Sequence, residues 1–315
     1  MTDAVVVHDV VKRFGATKAL AGVSFAIHPG ELFGFIGPDG AGKTTLFRIL
    51  TTLLVPDSGN AQVLGEDVVS NLWSLRKRVG YMPGRFSLYP DLSVEENLRF
   101  FASVFGTTIA AERNRIAPIY SQIEPFKTRR AGALSGGMKQ KLALCCALVH
   151  RPEILFLDEP TTGVDAVSRR EFWDLLGVLK AGGLTAVVST PYMDEADRCD
   201  RIALIQRGGL LAIDTPETVA RSFDHPLMAV RSDNRHDTLI ALRAYPHAGT
   251  AYPFGASIHF TDRRAEVPAE RQQTELRSFL ESRGLTNVTV DMTTPTIEDT
   301  FMDRMGDPAN QESAS

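Results

Sequence analysis

Eight consecutive residues, Gly37, Pro38, Asp39, Gly40, Ala41, Gly42, Lys43 and Thr44, have the types and spacing that grip phosphate. Glycines let backbone N–H groups curl around phosphate oxygens, and the lysine neutralises the β- and γ-phosphates. A helix starting here adds a favourable dipole. Thr44 is then a candidate Mg²⁺ ligand, and Thr45 can hydrogen-bond a neighbouring phosphate. A structural glycine turn is the bland alternative. A second constellation is Ile154-Leu155-Phe156-Leu157-Asp158-Glu159, an apolar run ending in two acids. At the carboxyl edge of a sheet Asp158 could hold Mg²⁺ directly or through water, while Glu159 could polarise an attacking water as general base. The pair could equally cap a helix or sit on the surface after a buried strand.

These groups need a frame. Up to about residue 220 the chain alternates short apolar runs with helical stretches, the pattern of an α/β domain with a largely parallel sheet. Residues 31–37, 153–158, 185–190 and 201–206 are the expected strands, the second and third apolar enough to be covered on both faces. The phosphate loop lies between the first strand and a helix expected over 43–53. A long insertion between the first two strands suggests a helical subdomain, with one helix opening at the capping box Ser93 and Glu96. Beyond Pro216 the texture becomes strand 227–231, helix 238–245, strand 256–261, helix 270–283, strand 288–292 and a last helix over 296–305. The expected organisation is a domain over 1–220, a small α+β domain over 221–306 and a disordered polar tail over 307–315.

The bulk composition narrows the classes. With 315 residues, 43% hydrophobic and 23% charged, the chain can bury a substantial core. A formal net charge of −4 gives no global electrostatic reason to expect nucleic acid as a partner, although a local basic patch stays open. Three cysteines, two of them adjacent at Cys145 and Cys146, imply no disulfide framework and fit a reducing cytosolic setting. No apolar run approaches the roughly 20 residues that span a bilayer, so membrane contact calls for a separate embedded partner.

Leu134-Ser135-Gly136-Gly137-Met138-Lys139-Gln140 makes the reading specific, because it resembles the signature motif of ABC ATPases. Physically, Ser135 and the amides of Gly136 and Gly137 open a helix and form a second anion site, or a plain helix cap. The resemblance covers nearly the whole chain, and the closing Thr294–Phe301 stretch is similar to the branch exporting drugs, lipids or polysaccharides. It implies a phosphate-loop NTPase fold, ATP and Mg²⁺ as cofactors, and ATP hydrolysis. Two cassettes would sandwich two nucleotides, each signature motif closing over the partner's ATP. A separate transmembrane permease subunit would place the chain peripherally on the cytoplasmic face of the cell membrane. Phe14 falls where an aromatic stacks on adenine, with a core role as the alternative. Gly163-Val164-Asp165 falls at the loop that communicates across the dimer, where Asp165 could instead cap the next helix. Phe86–Leu92 lies where the permease docks, or packs locally to start the helix after Ser93.

Two positions depart from the family pattern. Gly84 stands where members usually carry a glutamine that senses Mg²⁺ and the attacking water, and Pro191 where they carry a histidine contacting the γ-phosphate. Neither residue has a side-chain donor. The chain's own site is therefore expected to turn over slowly, while Ser135–Gly137 could complete a competent site on a paralogous partner. The alternatives are a homodimer that positions the γ-phosphate by other residues, a non-hydrolytic regulatory cassette, and a soluble ribosome-associated ATPase.

Overall fold

The computed structural model describes residues 2–85 and 87–306. The chain divides into two compact units between Pro216 and Glu217. In the first, a six-stranded sheet runs in the order Gly209–Asp214, Arg201–Gln206, Leu32–Ile36, Thr185–Thr190, Ile154–Asp158, Val79–Met82. All neighbours are parallel except the hairpin formed by the first two. The three central strands are buried at every residue, as apolar runs covered on both faces must be. Phe25, Phe33, Phe35, Phe47 and Phe156 form a chain of ring contacts across this core, with successive centroids 5.0–5.9 Å apart from Phe25 through Phe35 and Phe47 to Phe156.

A second, antiparallel sheet joins Val5–Phe14, Thr17–Ile27, Ser58–Val63 and Glu66–Asp67. Local sequence pattern does not mark the long strands Val5–Phe14 and Thr17–Ile27. Their register shifts between Val7 and Val11, with Asp9 at φ 47°, and such a bulge interrupts the two-residue alternation that marks a strand. The phosphate-loop helix spans Lys43–Leu50 and stops short of residue 53, because Thr51 caps it and Thr52 turns to φ 63°. The helical insertion contains Val94–Val104, opened by the reciprocal Ser93 and Glu96 capping box, and Ile109–Ile123.

The second unit carries a four-stranded antiparallel sheet in the order Ala248–Phe254, Ser257–Asp262, Leu227–Arg231, Thr289–Met292. Helices Arg235–Arg243 and Ala269–Ser282 follow the first and third strands in sequence, giving the βαββαβ ferredoxin-like arrangement. Met228, Val230, Ile258, Phe260 and Val290 pack on Leu242, Leu276 and Leu280 of those helices. A further helix, Ile297–Gly306, supplies the buried Asp299. Its carboxylate accepts from the Tyr252 hydroxyl at 2.5 Å and from the Thr296 N–H at 2.7 Å, and lies 2.5 Å from His259 Nδ1. Burial works to raise the Asp299 pKa, but the hydrogen bonds from His259, Thr296 and Tyr252 outweigh it and hold the carboxyl below its ordinary range. The tail expected to be disordered, 307–315, lies outside the described residues.

Candidate nucleotide site

The loop from Gly37 to Thr44 connects the central strand Leu32–Ile36 to the helix Lys43–Leu50. Its path is fixed by close approaches. The Gly37 N–H donates to Thr190 O at 3.2 Å, and a Cβ at position 37 would lie 2.0 Å from the Ile205 carbonyl oxygen. Gly42, at φ 108°, caps the helix without a side-chain hydrogen bond, and the helix has no acidic residue in its first turn. Its leading N–H groups and positive dipole end are thus available to an anion.

Lys43 is almost fully buried, and its ammonium donates to Gly37 O at 2.7 Å and to Pro38 O at 2.9 Å. Glu159 Oε1 stands 3.3 Å away, so the buried charge is paired. Glu159 takes a left-handed φ of 49°, turning the chain sharply as the strand ends. The adjacent strand end, Ser189-Thr190, holds the site together. Ser189 Oγ donates to Asp158 Oδ1 at 2.6 Å and accepts from the Glu159 N–H at 3.0 Å. Thr44 Oγ1 donates to the same Asp158 oxygen at 3.1 Å. The strand Thr185–Thr190 lies between the strands that supply the loop and the carboxylates, so loop and acids meet across it at their carboxyl ends.

Thr44 and Asp158 present hard oxygen donors side by side, which fits Mg²⁺. Among the described residues no group of three or more His, Cys, Asp or Glu side chains could hold a metal by itself. A donor set of one hydroxyl and one carboxylate matches an ion that takes its remaining ligands from phosphate and water.

A cavity of about 470 Å³ opens above the loop, and Gly40, Ala41, Gly42, Lys43, Thr44, Thr45 and Glu159 line it with Ala16, Thr17, Lys18, Ala19 and Arg207. Phe14 sits at the end of the strand that turns back at Thr17 and is 51% exposed, so it is not a core residue. Ser135, Gly136 and Gly137 do not line this cavity. Ser135 instead caps the helix Gly136–Leu148, its Oγ accepting from Met138 N at 3.4 Å. A Cβ on Gly137 would lie 2.6 Å from the Ser168 side chain, so the motif packs against the helix that Asp165 caps through the N–H groups of Val167 and Ser168. Those amides hold the Asp165 carboxyl below its usual range, that of Ser168 most strongly.

Gly84 approaches the backbone that carries the two acids, a Cβ there falling 2.9 Å from the Asp158 carbonyl oxygen and 3.7 Å from Glu159 Cβ. Beside Pro191, Thr190 Oγ1 donates at 2.5 Å to Glu195, a buried acid that also accepts from Thr161 Oγ1 at 2.8 Å. Ser189, Glu195 and Arg207 carried no assignment from sequence. Ser189 and Glu195 could have been sought as polar residues flanking an apolar strand, whereas nothing local marks Arg207.

In the expected docking loop, Leu88 is buried and Tyr89 is 47% exposed against Phe100, while Phe86 lies outside the described residues. Asn97 ties this loop to the helix start by accepting from Tyr89 N and donating to Tyr89 O and Leu92 O. Nearby, a mostly apolar cavity of about 500 Å³ is lined by Trp73, Tyr81, Met82, Leu88, Phe101 and Phe105 among others.

Comparison with known proteins agrees with this geometry. The ABC transporter family model matches residues 20–162. The chain is 38% identical over 320 residues to the probable multidrug ABC transporter ATP-binding protein YbhF of Escherichia coli K12, covering 99% of this chain but 54% of that one, so it spans about half that relative's length. It is 41% identical over 217 residues to the Nod factor export ATP-binding protein I of Burkholderia orbicola, covering 68% of this chain and 71% of the relative. Among solved structures, cbiO1 from Clostridium perfringens, part of the ABC transporter complex cbiONQ, superposes with a TM-score of 0.64 at 26% identity, covering 70% of this chain and 92% of the other. The ATP-binding cassette MJ0796, in a dimeric post-hydrolysis state bound to ADP and Pi, does so at 0.60 and 27%, covering 67% and 98%. The chain belongs to the ABC transporter family, as one of its ATP-binding cassettes.

Proposed function

We propose that this chain is the ATP-hydrolysing subunit of an exporter, working as a dimer of cassettes beneath a separate membrane subunit. The observation that carries the reading is the meeting of Lys43, Thr44, Asp158 and Glu159 at the carboxyl ends of the two strands that flank Thr185–Thr190, with Lys43 Nζ 3.3 Å from Glu159 and Thr44 Oγ1 3.1 Å from Asp158. Lys43 and the amides of Gly40, Gly42 and Thr45 hold the phosphate chain, and Phe14 offers an exposed face to adenine. Thr44 and Asp158 would hold Mg²⁺, which supplies charge neutralisation between the β- and γ-phosphates. Glu159 accepts the proton of the attacking water, and Ser189 orients Asp158 from behind. Ser135, Gly136 and Gly137 serve the partner's nucleotide, consistent with their not lining this chain's own cavity.

The membrane subunit docks on the apolar cavity beside Leu88 and Trp73, the latter 73% exposed. No helix among the described residues is long and apolar enough to cross a membrane, and the chain takes its peripheral place on the cytoplasmic face through the membrane subunit. The names of relatives support export of a multidrug or Nod-factor type of cargo without fixing the cargo here.

Gly84 and Pro191 favour a second reading of the rate: the site binds ATP and hydrolyses it slowly, or only regulates a partner cassette. With neither glutamine nor histidine at these positions, the γ-phosphate and water lose two positioning groups. The test is ATPase turnover of the purified chain, with Glu159→Gln as control. Slow turnover above the control supports a weak catalyst, and turnover equal to the control supports a regulatory cassette. Ordinary turnover without any partner refutes the slow site, and absence of ATP binding refutes the whole proposal.

A further inference from the structure

The hairpin between Arg201–Gln206 and Gly209–Asp214 turns at Arg207-Gly208, and this turn is built onto the phosphate loop. Gly208 N donates to Ala41 O at 2.9 Å, and Gly208 O accepts from Ala21 N at 2.8 Å. No side chain fits at position 208. The residue sits at φ 78°, and a Cβ would lie 2.7 Å from Ala19 O. Gly42 on the phosphate loop meets the same point, since its Cβ would lie 2.4 Å from Ala19 O and 3.5 Å from Gly208 Cα. Three backbone segments thus converge with no room to shift, and the turn is held in fixed register with the loop.

Arg207 is the apex of that turn. It holds a left-handed φ of 47°, a conformation uncommon for a residue with a long side chain, and such outliers concentrate where a site needs a particular direction. Arg207 is exposed and lines the nucleotide cavity, and among the described residues it forms no salt bridge. The charged side chains lining that cavity are Lys18, Lys43 and Arg207 against the single acid Glu159. Lys43 is already committed to Glu159 and to two loop carbonyls. Arg207 and Lys18 leave the cavity, which residues 16–19 line on one side, with a surplus of positive charge.

We propose that Arg207 is a nucleotide-binding residue, contacting the phosphate chain where it leaves the loop toward the ribose, with Lys18 adding to the field there. This rests on the reading of the cavity as the ATP site. A guanidinium suits the task because it presents several donors in one plane to phosphate oxygens. The Arg207 backbone is held in place by the Gly208 contacts, so binding has only the side chain to order.

The test is equilibrium binding of ATP, ADP and adenosine to the full chain at low salt. Arg207→Gly suits the left-handed turn and leaves the thermal midpoint unchanged or higher. It is expected to weaken ATP and ADP about ten-fold, which is about 1.4 kcal/mol, with adenosine within two-fold of wild type. Arg207→Lys keeps the charge but not the planar donors and recovers only part of the loss. The wild-type advantage over Arg207→Gly shrinks at high salt, as an exposed charge contact must. ATP affinity of Arg207→Gly within two-fold of wild type overturns the proposal, as does an equal loss for adenosine. Lys43→Ala separates the two claims. If it binds ATP like wild type, the reading of the cavity fails. If it loses ATP while Arg207→Gly does not, only the role of Arg207 fails.

Discussion

Restoring the missing glutamine by Gly84→Gln tests whether this site is closed to the family's usual geometry. A Cβ at position 84 would lie 2.9 Å from the Asp158 carbonyl oxygen, well inside ordinary contact. The obstacle is backbone at the end of a fully buried strand, with Met82 paired to Leu157 and Asp158 to Ser189 in register on either side. Neither partner can turn away as a flexible side chain would, so the segment carrying residue 84 must move out. Inserting atoms into such a packed position costs about 1–3 kcal/mol. For a unit of this size a cost near 2 kcal/mol lowers the melting temperature by roughly 4–8 °C. The displaced segment also carries the glutamine away from the water it would position, so turnover gains little. Differential scanning calorimetry with a phosphate-release assay measures both. A variant that melts with wild type and hydrolyses ATP ten-fold faster would refute the steric argument, and with it the claim that loss of the glutamine is built into the backbone.

Two further outcomes follow from contacts of the same kind. Gly37→Ala places a Cβ 2.0 Å from Ile205 O, so the phosphate loop must shift; thermal stability falls by about 1–3 kcal/mol and ATP affinity falls with it in a titration. In the second unit, Asp299 titrates below its ordinary value of 3.8, so its contribution to stability is complete above that pH and is lost as pH falls through the depressed value. Melting temperature of the second unit therefore drops more steeply with acid in wild type than in Asp299→Asn, and parallel curves would contradict this.

How much was legible varied with how local the signal was. The phosphate loop, the strand Ile154–Asp158 and the box at Ser93 are each written in fewer than ten residues, and local chemistry dictates their shape. The strand Ala248–Phe254 was not legible, because Gly249 and Pro253 interrupt it and proline reads as a strand breaker. It is tolerated because this strand lies at the sheet edge, and without it the βαββαβ order of the second unit cannot be seen.

By itself the sequence determined that a phosphate-binding loop and an acid pair are present, since glycine spacing and a run of apolar residues ending in two acids need no distant partner to have their character. Tertiary structure alone decided that the strand ending in Ser189 and Thr190 would lie between them, joining Gly37, Asp158 and Glu159 by hydrogen bonds across strands distant in sequence. It alone also brought the Arg207 turn onto Ala41, more than 160 positions away, because antiparallel and parallel pairing place residues by register and not by sequence separation.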